Sequence, residues 1–148
     1  MDPRTLELST SRACAAPVGA LWAAFTDVGR WVERIGVVEE VLHAPAAWRV
    51  GERVAFRLRV AGVVVPFDVR LEAVEPERLV RWSSVRWTVT GTRIWMFEAD
   101  GPGSRVQDLK RFSHPVAPLR WVYPRAPILA MSEAWLQDLV RAAEAEAG

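Results

Sequence analysis

The sequence predicts an α+β domain, a curved antiparallel sheet of about seven strands wrapped around a long C-terminal helix, with two short helices after strand 1. Three observations predict it. Between Val37 and Phe112 the apolar positions recur at every second residue, the period of half-buried strands. From Val18 to Phe25, and again from Ile128 to Leu139, they recur at helical spacing instead. The strand-like runs are separated by short turn signals: Ala61-Gly62, Glu75-Pro76-Glu77-Arg78, Gly91 and Asp100-Gly101-Pro102-Gly103.

Each element follows from its residues. Thr5 to Ala13 carries Leu6, Leu8 and Ala13 among polar residues and reads as the first strand. Ala16-Pro17 opens a helix, since the missing N–H of proline costs nothing in a first turn, and Val18, Leu21, Trp22 and Phe25 follow. Arg30 to Arg34 makes a second short helix, with Asp27 placed to cap it. Val37 to His43 is rich in β-branched residues and reads as a strand; Ala44 to Gly51 is a loop. Glu52–Val60, Val63–Ala73, Leu79–Trp87, Thr92–Ala99 and Ser104–Phe112 complete the meander. Ser113 to Pro127 holds four prolines, so no regular helix runs through it. Ile128, Met131, Trp135, Leu136 and Leu139 then form the apolar stripe of the last helix.

Composition narrows the function classes. The chain has 148 residues, a length that suits one domain spanning 1–148. With 19 basic against 18 acidic side chains, no net field gathers nucleic acid or acidic lipid. Cys14 is the only cysteine, which excludes an internal disulfide. The opening Met1-Asp2-Pro3-Arg4 has no apolar core of a signal peptide, and the near-apolar run Val60 to Phe67 is too short for a membrane span, so the cytoplasm is the expected compartment. Among the basic residues 18 are Arg and only Lys110 is Lys, a bias that suggests a high-GC bacterial coding sequence.

Hairpin turns fix register, so the inward-facing residues can be worked out. The Ala61-Gly62 turn pairs Val60 with Val63, Phe56 with Phe67 and Val54 with Val69. Pairing Val74 with Leu79 sets Leu71 opposite Trp82, Val69 opposite Ser84 and Phe67 opposite Arg86. A turn at Val89-Thr90 sets Arg86 opposite Arg93, Ser84 opposite Trp95 and Trp82 opposite Phe97. The Gly101 turn pairs Phe97 with Val106, Trp95 with Asp108 and Arg93 with Lys110. One inner row then reads Phe56, Phe67, Arg86, Arg93, Lys110, with Asp108 one row away and able to neutralise only one cation. Two readings follow. Either the row holds an anionic or polyoxygenated ligand against Phe56, Phe67, Val69, Trp82, Ser84, Trp95 and Phe97, or it lies at the sheet rim, where long side chains reach water. Lys110, crowded by two arginines, has its charged form disfavoured and is a candidate base or imine-forming nucleophile. His114 stands beside Pro115 near the open end, either as a general acid–base group or as an exposed loop residue. His43 has no acidic or thiol partner at ligand spacing, so no metal site is expected. Trp22 and Trp135 fall on helical faces expected in the core.

Several segments resemble one family over nearly the whole chain. They are Ala16-Pro17 through Leu21-Trp22, then Thr26-Asp27-Val28-Gly29-Arg30-Trp31; Glu75-Pro76-Glu77-Arg78-Leu79-Val80 with Trp82; Trp95-Met96-Phe97-Glu98; and Gly101-Pro102-Gly103-Ser104-Arg105-Val106. They resemble the opening helix, the turn and the late strands of the SRPBCC, or START-like, superfamily of helix-grip proteins, which includes START domains, Bet v 1 allergens and polyketide cyclase/dehydrases. Arg34-Ile35 stands where that family often carries a second tryptophan. The resemblance implies the helix-grip fold and a small-molecule pocket of the polyketide cyclase/dehydrase type. It implies a cofactor-free cyclase or dehydratase acting on a polyketide-like or aromatic, phenolic compound in bacterial secondary metabolism. In that role Arg86 and Arg93 would stabilise an enolate oxygen, Asp108 would move a proton and Ser84 would orient a carbonyl or water. The alternative is a non-catalytic carrier or sensor of lipid-like or aromatic ligands. A protein-interaction module fits less well, because the outward strand positions are charged and mixed. The partner expected is a small hydrophobic or polyoxygenated ligand, with the chain as monomer or homodimer.

Overall fold

A computed structural model of the chain describes residues 2–86 and 88–147. Strand β1 (Thr5–Cys14) leads into helix α1 (Val18–Thr26), a single 3-10 turn (Val28–Arg30) and helix α2 (Trp31–Arg34). Strands β2 (Val38–His43), β3 (Arg53–Val60), β4 (Val63–Glu75), β5 (Leu79–Arg86), β6 (Val89–Asp100) and β7 (Gly103–Ser113) follow. Helices α3 (Leu119–Val122) and α4 (Arg125–Ala147) end the chain. The strands form one antiparallel sheet in the order β1-β7-β6-β5-β4-β3-β2. Only β1 leaves sequence order, crossing to pair with β7 and so closing the curve over α4. No helix among the described residues is long and apolar enough to cross a membrane.

The core lies between the concave face and α4. Trp135, Leu136, Leu139, Val140 and Ala143 bury one side of α4 against Trp31, Phe56 and Trp95 of the sheet and short helices. Phe25 of α1 is the hub of an aromatic cluster, with ring centroids 4.9 Å from Trp95, 5.2 Å from Trp48 and 5.2 Å from Phe97. Such pairs add about 0.5–1.5 kcal/mol each beyond their burial, because the edge of one ring meets the face of another. Two indoles are anchored to helix ends: Trp31 Nε1 donates to the Phe25 carbonyl at 2.9 Å and Trp48 Nε1 to that of Thr26 at 3.0 Å.

The predicted registers of β3–β4 and β6–β7 match the structure, including Phe56 opposite Phe67 and Arg93 opposite Lys110. Ala61 and Gly62 both take left-handed backbone, φ 51° and 78°, the conformation whose twist suits a two-residue hairpin. At β4–β5 the turn pairs Glu75, not Val74, with Leu79, and a bulge between Leu71 and Ala73 absorbs the extra residue. Leu71 therefore still meets Trp82.

The β5–β6 register differs from expectation. Arg86 pairs with Val89, not Arg93; Ser84 pairs with Gly91, not Trp95; and Trp82 pairs with Arg93, not Phe97. The hairpin closes before Val89, with Thr88 in left-handed backbone at φ 66°, so Gly91 lies within β6 instead of bounding it. The predicted strand end at Trp87 lies outside the described residues. An even shift preserves which face each side chain takes, so the inner set survives while its rows change. Asp27 makes no side-chain cap: it precedes the 3-10 turn, and its backbone carbonyl accepts the Arg30 N–H at 3.0 Å. Pro17 sits at the N-cap of α1, and α4 begins at Arg125, with Pro127 in its first turn, ahead of the predicted start.

Candidate functional site

The first turns of α4 pack Ile128 and Leu129 with Leu6 and Leu8 of β1, and between them and the middle of the sheet lies a cavity of about 540 Å³. Its walls are mostly apolar: Phe56, Leu58, Phe67 and Val69 from β3–β4, Trp82 from β5, Val89 and Phe112 from β6–β7, and Tyr123, Ile128 and Met131 from the C-terminal segment. Ser84, Gly91 and Phe112 form one cross-strand row of the floor. A volume of this size suits a bicyclic or tricyclic organic molecule.

Two cations face this space from the middle of the sheet. Arg93 on β6 and Lys110 on β7 are cross-strand partners, only 6% and 5% exposed, and both line the cavity. Asp108 lies behind them, 1% exposed and outside the lining. Arg93 donates to both carboxylate oxygens, Nε to Oδ1 at 2.9 Å and Nη2 to Oδ2 at 2.7 Å. Lys110 Nζ donates to Oδ2 at 2.5 Å and also contacts Ser132 Oγ, whose hydroxyl donates to the Ile128 carbonyl at 3.0 Å. The Arg93 guanidinium rests over the rings of Trp95, at 4.0 Å, and Trp135, at 4.5 Å, which fixes its plane.

Electrostatics follows from this packing. Burial pushes the Asp108 carboxyl up, but the adjacent Arg93 and Lys110 outweigh that and hold it below the usual carboxylate range. Lys110 is pulled the other way. Burial, reinforced by the charge of Arg93 and opposed by Asp108, lowers its amine to about 7. The trio therefore exchanges one proton near neutrality, and Lys110 carries it. Burial also raises the phenol of Tyr123 at the cavity wall.

The other expected residues are placed as follows. Phe56, Phe67, Val69, Trp82, Ser84 and Arg86 line the cavity with Arg93 and Lys110. Arg86 stands apart from the two buried cations, at the mouth, where Nη1 donates to the Pro66 carbonyl at 2.6 Å. The expected row of three adjacent cations is thus broken: Arg86 is partly exposed and apart, while Arg93 and Lys110 are buried side by side and not at the rim. Asp108 serves both Arg93 and Lys110, where one partner was expected. Trp95 and Phe97 face inward but belong to the packed half, because the shifted register sets Trp95 opposite Val80. His114 has both ring nitrogens in use. Nδ1 accepts from the backbone N–H groups of Val116, at 3.0 Å, and Ala117, at 2.7 Å, which leaves Nε2–H to donate to Thr88 Oγ1 at 2.7 Å. It ties the β5–β6 turn to the loop before α3 and does not line the cavity.

Sequence reasoning missed the polar groups Ser132 and Tyr123, and the apolar walls Leu58, Val89, Phe112, Ile128 and Met131. Ser132 carried a readable signal, a hydroxyl beside Met131 on the apolar stripe, which a buried polar partner has to satisfy.

No protein-family model matches the sequence, and no curated protein matches it. Solved structures do match in fold. The Zhui aromatase/cyclase from Streptomyces sp. R1128 is 18% identical, with a TM-score of 0.74 over 95% of this chain and 94% of that one. The di-domain aromatase/cyclase StfQ of the steffimycin biosynthetic pathway is 14% identical, with a TM-score of 0.81 over 99% of this chain and 53% of that one. The major latex-like protein 151 of Panax ginseng is 14% identical, with a TM-score of 0.74 over 97% of this chain and 98% of that one. The chain shares with these structures the helix-grip fold, a curved antiparallel sheet wrapped around a long C-terminal helix.

Proposed function

We propose that the protein is a cofactor-free cyclase or dehydratase for a polyketide-like or phenolic compound of bacterial secondary metabolism. The observation that carries this reading is a pair of buried cations, Arg93 and Lys110, facing an otherwise apolar cavity. The aromatase/cyclases among its structural neighbours support it. An apolar chamber selects a folded conformer of a reactive chain by excluding water and restricting shape. Arg93, held in plane by Asp108 and two indoles, donates to a carbonyl oxygen as it gains enolate charge. Lys110 is the proton carrier, since Asp108 is shielded from the cavity and saturated with donors. Ser84 and Arg86 contact the far end of the ligand near the mouth.

A second reading has its own support. The withdrawal of the sole buried carboxylate among the described residues from the cavity wall favours a carrier that binds without turnover. One experiment separates the two. Polyhydroxylated naphthalenes and anthraquinones are titrated by tryptophan fluorescence, and a linear poly-β-ketone thioester is followed for cyclisation with loss of water. Binding with accelerated cyclisation is expected for the wild type, and Arg93→Met is expected to lose both. Binding without any acceleration selects the carrier. Failure to bind any of these compounds overturns both readings.

A further inference from the structure

Lys110 has more than a proton to offer. It lines the cavity beneath α4, is buried, and is the only lysine of the chain. Asp108 and Arg93 on the sheet and Ser132 on α4 are the charged and polar groups around it, and β1 contributes only Leu8 opposite. Because Asp108 is already matched by Arg93, the trio carries no net charge when the amine is neutral. A neutral amine, held by hydrogen bonds on the wall of a mostly apolar chamber, is the arrangement a carbonyl-attacking lysine needs.

We infer that Lys110 forms a reversible imine with ketones and aldehydes that enter the cavity, β-dicarbonyl compounds above all. The inference rests on the cavity being a site for carbonyl compounds and deepens that reading. The Nζ lone pair adds to the carbonyl carbon, and the carbonyl oxygen takes a proton to give a carbinolamine. The C–O bond then breaks, water leaves, and the C=N bond forms; addition of water reverses every step. No oxidant or reductant is consumed. Arg93 lies where it can donate to the carbonyl oxygen during attack. With a β-dicarbonyl, transfer of the intervening C–H proton to the imine nitrogen gives the conjugated enaminone, whose carbon is activated toward an aldol-type ring closure.

At neutral pH an amine at about 7 is free base on the order of a thousandfold more often than one at its ordinary value. Acetylacetone is therefore the probe. The folded protein is incubated with it near neutrality, the enaminone band is followed in the near ultraviolet, and intact mass and peptide mapping locate the adduct. The expected result is a single addition, of acetylacetone less one water, on Lys110, forming at least about tenfold faster than on the same lysine in urea-unfolded chain. Lys110→Arg is expected to abolish the adduct mapped to this position. The comparison of folded with unfolded wild type needs no variant to fold. An unmodified Lys110 in the folded protein, or faster reaction in the unfolded chain, overturns the inference. If phenolic ligands still bind when Lys110 fails to react, only the imine is lost; if neither happens, the reading of the cavity falls with it.

Discussion

Asp108→Asn tests the electrostatic account directly. The substitution keeps shape and one acceptor oxygen but removes the charge shared by Arg93 and Lys110. All three groups are nearly solvent-free, at 7%, 0% and 6% side-chain exposure for Arg93, Asp108 and Lys110, so water cannot compensate. Breaking a buried pair by removing one partner costs about 3–5 kcal/mol. At about pH 8 Lys110 is largely neutral, so only Arg93 is stranded, and the loss is about 3 kcal/mol. For a chain of this length that corresponds to a fall in Tm of about 10 °C. Below about 7 the wild-type amine takes up a proton that the variant resists, because the attraction of Asp108 is gone. The wild-type native state then binds more protons, so the penalty grows by up to about 1.4 kcal/mol per pH unit as pH falls. Urea titrations at about pH 6 and about pH 8, with unchanged slope against denaturant, read both quantities. A loss under about 1 kcal/mol at the higher pH, or a penalty that does not grow on acidification, refutes the account.

The wild type carries its own pH signature. The lowered amine of Lys110 means the unfolded chain binds more protons between about 7 and 10.5, so stability rises with pH through that window, by up to about 1.4 kcal/mol per unit. Thermal melts between about pH 7 and pH 9 check it, below the range where the raised phenol of Tyr123 acts in the opposite sense. Gly103→Ala is expected to lose about 3 kcal/mol in urea unfolding, since a Cβ there would lie 2.4 Å from the Cys14 carbonyl oxygen and 3.5 Å from Ala15 Cα on neighbouring backbone. Gly91→Leu is expected to keep the fold and abolish ligand binding by fluorescence titration, because its Cβ meets only Phe112 at 3.5 Å and Ser84 O at 3.9 Å and the rest of the side chain enters the cavity. Replacing the trio together, as Arg93→Met, Asp108→Leu, Lys110→Met, is expected to leave stability unchanged or raised by about 1–4 kcal/mol in urea while ligand binding disappears.

What could be read in the sequence was the alternation of faces; what could not was the offset between strands. Side-chain period fixes inside from outside, so Phe56, Phe67, Trp82, Arg93 and Lys110 were assigned to the concave face correctly. Turn chemistry fixes register only where the turn residues say so. Ala61-Gly62 and Gly101 did; the β5–β6 turn, with Thr88 in left-handed backbone and no glycine, did not. Gly91 drew the expected turn toward itself, and Arg86 was thereby set beside Arg93 instead of at the mouth. The bulge after Leu71 was equally silent, and Leu71 met Trp82 only because turn and bulge displace the strand in opposite senses. The role of Asp108 depended on depth. A carboxylate behind the cavity wall and one on it look alike in sequence, and only the contacts of α4 distinguish them.

The placement of the trio also explains how one fold can be firm and hollow together. The C-terminal half of α4 packs Trp135, Leu136, Leu139 and Val140 into the aromatic cluster, while the N-terminal half packs Ile128 and Leu129 with Leu6 and Leu8 of β1 and leaves the β3–β5 part of the sheet uncovered. Arg93, Asp108, Lys110 and Ser132 lie at the boundary between the two. An apolar set at that boundary would let the helix settle onto the sheet, because burial of further apolar area favours collapse of the space. Charged groups resist it. Arg93 must keep its plane against Trp95 and Trp135, and the Lys110 amine must keep Asp108 and Ser132, so the side chains that would hold a ligand are the ones that hold the cavity open.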